Sequence, residues 1–191
     1  MNIVIVVHSV CGHTYLVAKS MLQACTALGH DCLFRRVADP GWTPQSDTPA
    51  DAQELLSEMN QLPVALPDDL LNADLVIIGS PTYFGNVSGQ MKTFMDATAV
   101  HWFHSRYAGK RLAAFTSAGS TENGANLCLQ NIHCYACHMG MIPVPVPNQL
   151  LPGQSVCPYG IVYVTDQKYA QALDEKTRLT IEKYAGFLTR S

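Results

Sequence analysis

Short apolar runs alternate with longer amphipathic segments along this chain. Residues 3–7 have the length and the β-branched content of a buried strand, and the apolar side chains that follow, from Leu16 to Cys25, recur with helical spacing. The same alternation predicts strands at residues 3–7, 32–37, 74–79, 111–116 and 141–147 and helices near 14–28, 88–99, 125–138 and 173–188. Strands separated by helices indicate an α/β fold, in which right-handed crossovers build a parallel sheet covered by helices on both faces.

The last predicted strand has a proline at every second position, at Pro143, Pro145 and Pro147. The N–H groups of residues two apart in a strand point to the same edge. Because proline has no N–H group, all three missing hydrogen-bond donors belong to one edge of this strand. The alternate residues from Ile142 to Val146 keep their donors for the other side. A side lined with proline cannot pair with a neighbour, and we therefore expect an edge strand.

The stretch from residue 39 to residue 66 is less informative. Prolines interrupt it, and only residues 51–60 have helical spacing. Because no second core follows, we expect a surface excursion rather than a linker, placed where it covers a substrate or a neighbouring subunit.

A polar loop at residues 8–14 joins the first predicted strand to the first predicted helix. Such a junction binds anions through unpaired N–H groups and the positive end of the helix dipole, and Ser9 and Thr14 add hydroxyl donors. The loop lacks the lysine of a nucleoside-triphosphate loop and the glycine pattern of a dinucleotide fold. Neutral donors without lysine or arginine fit a terminal monophosphate that stays bound. The alternative is an ordinary polar turn with a satisfied helix cap.

Two further loops follow predicted strands and complete a pocket. Residues 80–90 contain no ionisable side chain apart from the Tyr83 phenol, so they offer backbone groups and two aromatic faces. These suit a flat heteroaromatic ring with hydrogen bonds around its rim. Residues 117–124 form the third loop. In a parallel sheet the three loops meet at the carboxyl edge, where such folds bind their ligands.

Several of these segments resemble the WrbA-like NAD(P)H:quinone oxidoreductases, which belong to the flavodoxin-like FMN proteins. The resemblance is carried by residues 9–14, the run GSPTYFGNVSGQMKTFMD from Gly79, Trp102 with residues 107–110, the Ser117 loop and residues 138–141. It implies one flavodoxin-like FMN-binding domain over residues 1–191, with a doubly wound five-stranded parallel sheet in the order 2-1-3-4-5.

The resemblance also implies where the cofactor and the substrates bind. The implied cofactor-binding residues are Ser9, Val10, Cys11, Gly12, His13, Thr14, Pro81, Thr82, Tyr83, Phe84, Gly85, Asn86, Ser117, Ala118, Gly119, Ser120, Thr121, Glu122 and His138. The implied substrate-binding residues are Trp102, Cys11 and Tyr83. No catalytic residue is expected, because the flavin performs the chemistry.

The implied activity is the two-electron reduction of quinones or related acceptors by NAD(P)H in a ping-pong mechanism, carried out by a homodimer or homotetramer. Two alternatives are a flavodoxin-type protein that passes single electrons to a protein partner and an interaction protein that keeps its flavin for stability. Relatives often have arginine where this chain has Tyr83 and an aromatic residue where it has Cys11, so the choice between NADH and NADPH stays open.

Composition and charge narrow the partners and the compartment. The chain has 191 residues, 48% of them apolar, enough for one core. Its net charge of -3 is spread along the sequence, so no nucleic-acid partner is expected. Small flavodoxin-type electron carriers are usually more acidic, so the charge favours an enzyme with a small-molecule acceptor. The first strand begins at residue 3 and no apolar run approaches 18 residues, so we expect a cytoplasmic protein without membrane contact.

Seven cysteines are present, and several lie in apolar patterns typical of buried reduced thiols, as at Cys25, Cys32 and Cys128. A separate cluster of His133, Cys134, Cys137 and His138 contains the motif of covalent haem attachment and the ligand types of a zinc site, for which His101 and His104 are further candidates. We favour neither. The expected arrangement is a core-facing helix without metal, whose last turn directs His138 at the flavin.

Overall fold

A parallel sheet forms the centre of the chain in the computed structural model, which describes residues 1–43, 48–119, 124–170 and 172–190. Its strands are β1 (Asn2–Val7), β2 (Asp31–Arg36), β3 (Leu75–Pro81), β4 (Arg111–Ala118), β5 (Ile142–Pro143) and β6 (Ile161–Val164). They pair in the order β2-β1-β3-β4-β5, and β6 also pairs with β4. The predicted order 2-1-3-4-5 is confirmed.

Five helices connect these strands. They are α1 (His13–Ala27), α2 (Ala50–Gln61), α3 (Gly89–Ala97), α4 (Ala125–His138) and α5 (Glu175–Leu188). Short 3₁₀ segments cover Pro67–Leu70, Thr98–His101 and Asn148–Leu150. Helix α2 is the helix expected in the proline-rich middle of the chain. Among the described residues, none of these helices has both the length and the apolar content needed to cross a membrane.

Apolar side chains cover both faces of the sheet, which explains why the central strands β1, β3 and β4 are rich in apolar residues. On β1, Ile3 and Ile5 belong to the core cluster that includes Met21 of α1 and residues of α5. Their neighbours Val4 and Val6 belong to the cluster on the other face, with side chains of α3 and α4. Consecutive residues of one strand thus serve two cores.

The proline-rich strand is shorter than predicted. The N–H groups of Ile142 and Val144 bond the carbonyls of Lys110 and Leu112, both at 2.8 Å, as the proline spacing predicts. The chain then leaves β4, because the Val146 N–H bonds the Pro158 carbonyl instead, at 3.0 Å. Strand β6 takes over the rest of that edge, with Phe115 to Ala118 of β4 paired to Ile161 to Val164. The fifth position of the sheet is therefore shared by two short strands.

The direction of the helices decides which residues lie near the carboxyl edge of the sheet. Helices α3 and α4 begin at that edge and run back to the amino edge, where the chain enters β4 and β5. Backbone hydrogen bonds from Gly109 to Gly140, at 2.9 Å, and from Arg111 to Asp74, at 3.1 Å, join the segments there. Residues 98–110 and 138–141 therefore lie at the amino edge.

Candidate functional site

A cleft of about 180 Å³ opens at the carboxyl edge of the sheet. The three predicted loops line it together with a fourth segment, through Ser9, Val10, Cys11, His13, Thr14, Pro81, Thr82, Tyr83, Ser117, Ala118, Gly119, Thr165, Gln167 and Lys168. The parallel strands end side by side here, so loops far apart in the sequence form one site.

The first loop ends in an open helix N-terminus. Gly12 precedes α1 with a φ of 90°, and no side chain caps the helix there. Among the described residues, no acceptor receives a hydrogen bond from the N–H groups of residues 10–14. Donors left without partners at the positive end of a helix dipole fit an anion. The loop therefore fits the terminal phosphate of FMN.

Hydroxyl groups tie the three predicted loops together. The hydroxyls of Thr14 and Ser117 lie 2.7 Å apart in a buried hydrogen bond. The Thr82 N–H donates to the Ser117 carbonyl at 2.9 Å, and the Thr82 hydroxyl lies 2.7 Å from that of Thr116. These contacts hold the loops in place without using the open N–H groups of the first loop.

The second loop contains a tight turn from Tyr83 to Asn86. Its two end residues exchange backbone hydrogen bonds of 2.9 Å. The residues between them, Phe84 and Gly85, have φ angles of 51° and 77°. Positive φ at a phenylalanine costs roughly 1–3 kcal/mol, and its side chain is fully exposed. Tyr83 lines the cleft, while Phe84, Gly85 and Asn86 form the turn beside it.

Two ionisable side chains of the cleft stay neutral. Burial raises the pKa of the Cys11 thiol, and the nearby Lys168 charge opposes this only in part. Burial also raises the pKa of the Tyr83 phenol, and the neighbouring Cys11 and Asp39 raise it further. Both groups keep their protons near neutral pH. They can donate hydrogen bonds to a ligand, but they are poor nucleophiles.

Residues of the proline-rich middle pack on the first loop. The Trp42 indole N–H donates to the Val10 carbonyl at 3.0 Å. His8, which is buried, lies with Nε2 3.1 Å from the Asp39 carboxylate, and Gln90 donates to the same carboxylate at 3.1 Å. The sequence offered no signal for these contacts, because they join segments about 30 and 50 residues apart.

The fourth lining segment, residues 165–170, was missed by the sequence analysis because strand β6 was missed. The Ala170 N–H donates to the Cys11 carbonyl at 3.0 Å, and His13 Nε2 donates to the Lys168 carbonyl at 3.3 Å. The apolar run from residue 161 to residue 164 was the available signal. Lys168 also corrects the expectation that the site has no lysine or arginine.

Trp102 and His138 lie away from the cleft of their own chain. They contact each other, since the Trp102 indole N–H donates to the His138 carbonyl at 3.0 Å. Helix α4 has 14 residues, so its last residue, His138, lies about 20 Å along the helix from its start near the cleft. The expectation that the last turn of α4 directs His138 at the flavin is wrong for a flavin bound in the same chain.

Other predicted residues have different outcomes. Ser120, Thr121 and Glu122 lie outside the described residues, so their predicted contacts stay predictions. Cys134 and Cys137 are exposed, whereas α4 turns other side chains, such as Cys128 and Ile132, to the core. The expectation of a core-facing helix is confirmed by the buried side chains of α4, and Cys134 and Cys137 lie on its exposed side. Within the described ranges no three His, Cys, Asp or Glu side chains are grouped to hold a metal ion.

All seven cysteines are free thiols. Cys25 and Cys128 are buried, as predicted, and Cys32 is partly buried.

Solved structures share this fold. The structure of the flavodoxin, WrbA-like protein from Agrobacterium tumefaciens matches with a TM-score of 0.66 and 21% identity, and the match covers 97% of this chain and 93% of that one. Oxidised flavodoxin 1 from Bacillus cereus matches with a TM-score of 0.67 and 13% identity over the full length of both chains. At these identities the likeness concerns the fold.

Sequence relatives are more specific. The NAD(P)H dehydrogenase (quinone) of Geotalea daltonii is 33% identical over 197 aligned positions, which cover 97% of this chain and 93% of the relative. The protein of the same name in Paracoccus denitrificans is 35% identical over 147 positions, covering 76% of this chain and 68% of the relative. The sequence model of the NADPH-dependent FMN reductases matches residues 1–154. These matches confirm the resemblance found from the motifs, and the chain belongs to the NADPH-dependent FMN reductase family.

Proposed function

We propose that this protein is an FMN-dependent oxidoreductase that passes two electrons from NAD(P)H to a quinone or a related acceptor. The observation that carries the proposal is the cleft, where uncharged donors, an open helix N-terminus and an aromatic wall meet at one edge of the sheet. Family membership supports the choice of FMN, and relatives named NAD(P)H dehydrogenase (quinone) support the choice of substrates.

The side chains and backbone of the cleft have distinct tasks in this proposal. Bound FMN supplies the capacity to take a hydride and to give up two electrons. Residues 9–14 bind its phosphate through N–H groups and the Ser9 hydroxyl. Thr82 and Tyr83 line the ring, and Ser117 to Gly119 close the other side. Cys11 and Tyr83 border the space through which the substrates reach the ring. No side chain acts as a base.

The activity is tested with the FMN-loaded protein, both nucleotides and benzoquinone. We expect steady oxidation of NADH or NADPH that requires the quinone, with parallel lines in double-reciprocal plots as for a ping-pong mechanism. The control is free FMN at the same concentration. A rate no greater than that of free FMN contradicts the proposal.

Stepwise photoreduction separates this enzyme from a one-electron carrier. The absorption spectrum of the proposed enzyme passes from the oxidised to the fully reduced form without a persistent third species. A persistent third species, together with no quinone-dependent oxidation of nucleotide, supports the carrier. Extraction of the bound flavin provides a further check, since the first loop encloses a terminal phosphate and we expect FMN rather than FAD.

We further propose that the protein is a homodimer or homotetramer in which Trp102 and His138 reach the cleft of another copy. Trp102, Val100 and Phe103 are 51%, 64% and 85% exposed, and together they form an apolar surface at the amino edge of the sheet. Apolar surfaces of this kind are typical of interfaces. The substrate-binding role of Trp102 requires such an arrangement, because its own cleft is at the opposite edge.

A mixing experiment tests this arrangement. Trp102→Ala is expected to raise the quinone KM about three- to tenfold, the value of one lost aromatic contact, while the FMN content stays constant. A Gly12→Val chain, with a damaged cleft, is expected to have little activity. In a hybrid oligomer the intact cleft of a Trp102→Ala chain faces the intact Trp102 of a Gly12→Val chain, so activity should recover. If the two variants form mixed oligomers without recovering activity, Trp102 does not act on the cleft of another copy. If the protein sediments as a monomer, the proposed assembly is wrong.

We propose a cytoplasmic location and a single domain. The seven free thiols support a reducing compartment, and cell fractionation tests it. A single sheet with one core cluster on each of its faces supports the assignment of one domain. We therefore expect a single cooperative unfolding transition.

A further inference from the structure

Lys168 is the permanently charged cation among the described residues that line the cleft. His13 also lines it, but burial lowers the pKa of its imidazole, which is therefore neutral near pH 7. The remaining lining groups are hydroxyls, amides, a thiol, a phenol and apolar side chains. The electrostatics of the described part of the cleft thus depend on one ammonium group, on a segment that follows β6.

A phosphate bound by the first loop alone keeps a net negative charge, which a cation at the same cleft would stabilise further. A phosphate monoester carries about 1.5 to 2 negative charges at pH 7, whereas the N-terminus of a helix is equivalent to roughly half a positive charge. The open N–H groups of residues 10–14 satisfy hydrogen-bond acceptors but add no net charge. An ammonium group at the same cleft supplies a full positive charge.

The segment that carries Lys168 is held against the first loop by two hydrogen bonds. Ala170 donates from its N–H to the Cys11 carbonyl at 3.0 Å, and His13 Nε2 donates to the Lys168 carbonyl at 3.3 Å. Both bonds place the backbone of residues 168–170 beside the start of α1.

The position of the ammonium group agrees with a ligand-binding role. Its Nζ lies 5.1 Å from the centre of the Tyr169 ring, a contact of modest strength for an exposed cation. Its charge acts on the Cys11 thiol and lowers the pKa of that group against the larger effect of burial. The ammonium group is therefore close to the same loop that presents the open N–H groups.

We propose that Lys168 binds a phosphate group in the cleft. The phosphate belongs either to the flavin itself or to the nicotinamide nucleotide that meets the flavin, since both present the same chemistry at this edge of the sheet. The inference rests on the proposed function in one respect, namely that FMN is the resident cofactor. It adds the cation that the sequence motifs did not indicate.

The test compares Lys168→Met with Lys183→Met, which removes the same charge from an exposed position on α5. Each full-length protein is freed of flavin, and the dissociation constants of FMN and riboflavin are measured by flavin fluorescence. If Lys168 binds the flavin phosphate, its loss weakens FMN binding about tenfold and leaves riboflavin binding unchanged. The difference between the two proteins should shrink at high salt.

A second measurement addresses the nucleotide. With FMN saturating, loss of Lys168 is expected to raise the KM for NADH or NADPH about tenfold at nearly constant kcat if the ammonium group binds the nucleotide phosphates. A change in either the FMN constant or the nucleotide KM, absent in Lys183→Met, supports the proposal and identifies the source of the phosphate. Unchanged values in both measurements, or an equal loss of FMN and riboflavin binding, overturn it.

Failure of the proposed function has a different signature. If the wild-type protein binds neither FMN nor riboflavin, the cofactor assignment itself is wrong. If the wild type binds FMN and the Lys168 variant behaves like it, only the inference about Lys168 fails.

Discussion

Gly12 is the position where the smallest change should have a large effect on stability. Its φ of +90° lies in the left-handed region, which costs a residue with a side chain roughly 1–2 kcal/mol. A Cβ atom there would lie 2.9 Å from Leu55 Cδ2 and 3.0 Å from Ala170 Cβ. Relief of such overpacking costs about 1 kcal/mol or more, at the lower end because the Leu55 side chain can move. Gly12→Ala should therefore lower the free energy of unfolding by about 2–3 kcal/mol.

The direction of this Cβ atom decides which part of the protein an added side chain at position 12 disturbs. The structure directs it at α2 and at the segment that carries Lys168, so the stability loss is expected in the flavin-free protein as well. For a chain of this size, 1 kcal/mol corresponds to about 2–4 °C in Tm, and the expected drop is about 4–12 °C.

The assay is urea and thermal denaturation of the flavin-free protein, followed by circular dichroism. Gly186→Ala is the matched control, because this glycine lies inside α5 and the added Cβ meets nothing within 4 Å beyond its chain neighbours and its own helix backbone. Alanine should be neutral or stabilising there. Adding Leu55→Ala to Gly12→Ala removes the contact with Leu55 Cδ2 but leaves the contact with Ala170 Cβ and the backbone strain. A Gly12→Ala protein as stable as wild type without flavin, and impaired only in flavin binding, refutes the packing argument.

Two further predictions concern buried polar groups. Thr14→Val leaves the Ser117 hydroxyl without its 2.7 Å partner, so the free energy of unfolding in urea should fall by about 1–3 kcal/mol. Adding Ser117→Ala should recover most of this loss. Equal stability of the wild type and both variants contradicts the buried hydrogen bond. Burial lowers the pKa of His8, His13 and His133, so the unfolded chain takes up more protons as the pH falls below about 6.5. Stability should therefore be fully present above pH 6.5 and fall towards pH 5, and a urea midpoint that stays constant or rises over this range excludes the effect.

Local patterns were sufficient for most of the sheet. The alternation of apolar runs and helical spacing predicts β1 to β4 to within two residues. The runs of β1, β3 and β4 are buried on both faces, whereas β2 is an edge strand that is only partly buried. Proline at every second position correctly predicts which N–H groups of the β5 segment face β4, because this depends only on the two-residue period of a strand. The three predicted loops meet at one cleft for a similar reason, since each follows a parallel strand.

The tertiary structure decided where the β5 segment ends and which strand occupies the rest of its edge. The N–H of Val146 pairs with Pro158 rather than with β4, and residues 161–164 occupy the vacated edge. Competition between two segments for one strand edge is a long-range effect that a local pattern does not contain. Lys168 reaches the cleft only because of this outcome.

The sequence by itself determined the α/β class, the order of the helices and of strands β1 to β5, and the chemistry of the first three loops. These follow from residue types and short-range periodicity. Only the tertiary structure placed Trp102 and His138 at the amino edge. A sequence motif shows that these residues are present, but it does not show how far they lie from the cleft at the carboxyl edge. The same holds for Cys134 and Cys137, whose spacing is visible in the sequence while their exposure depends on how α4 rotates against the sheet. Distances between segments far apart in the chain are set by packing, and packing is decided by the whole fold.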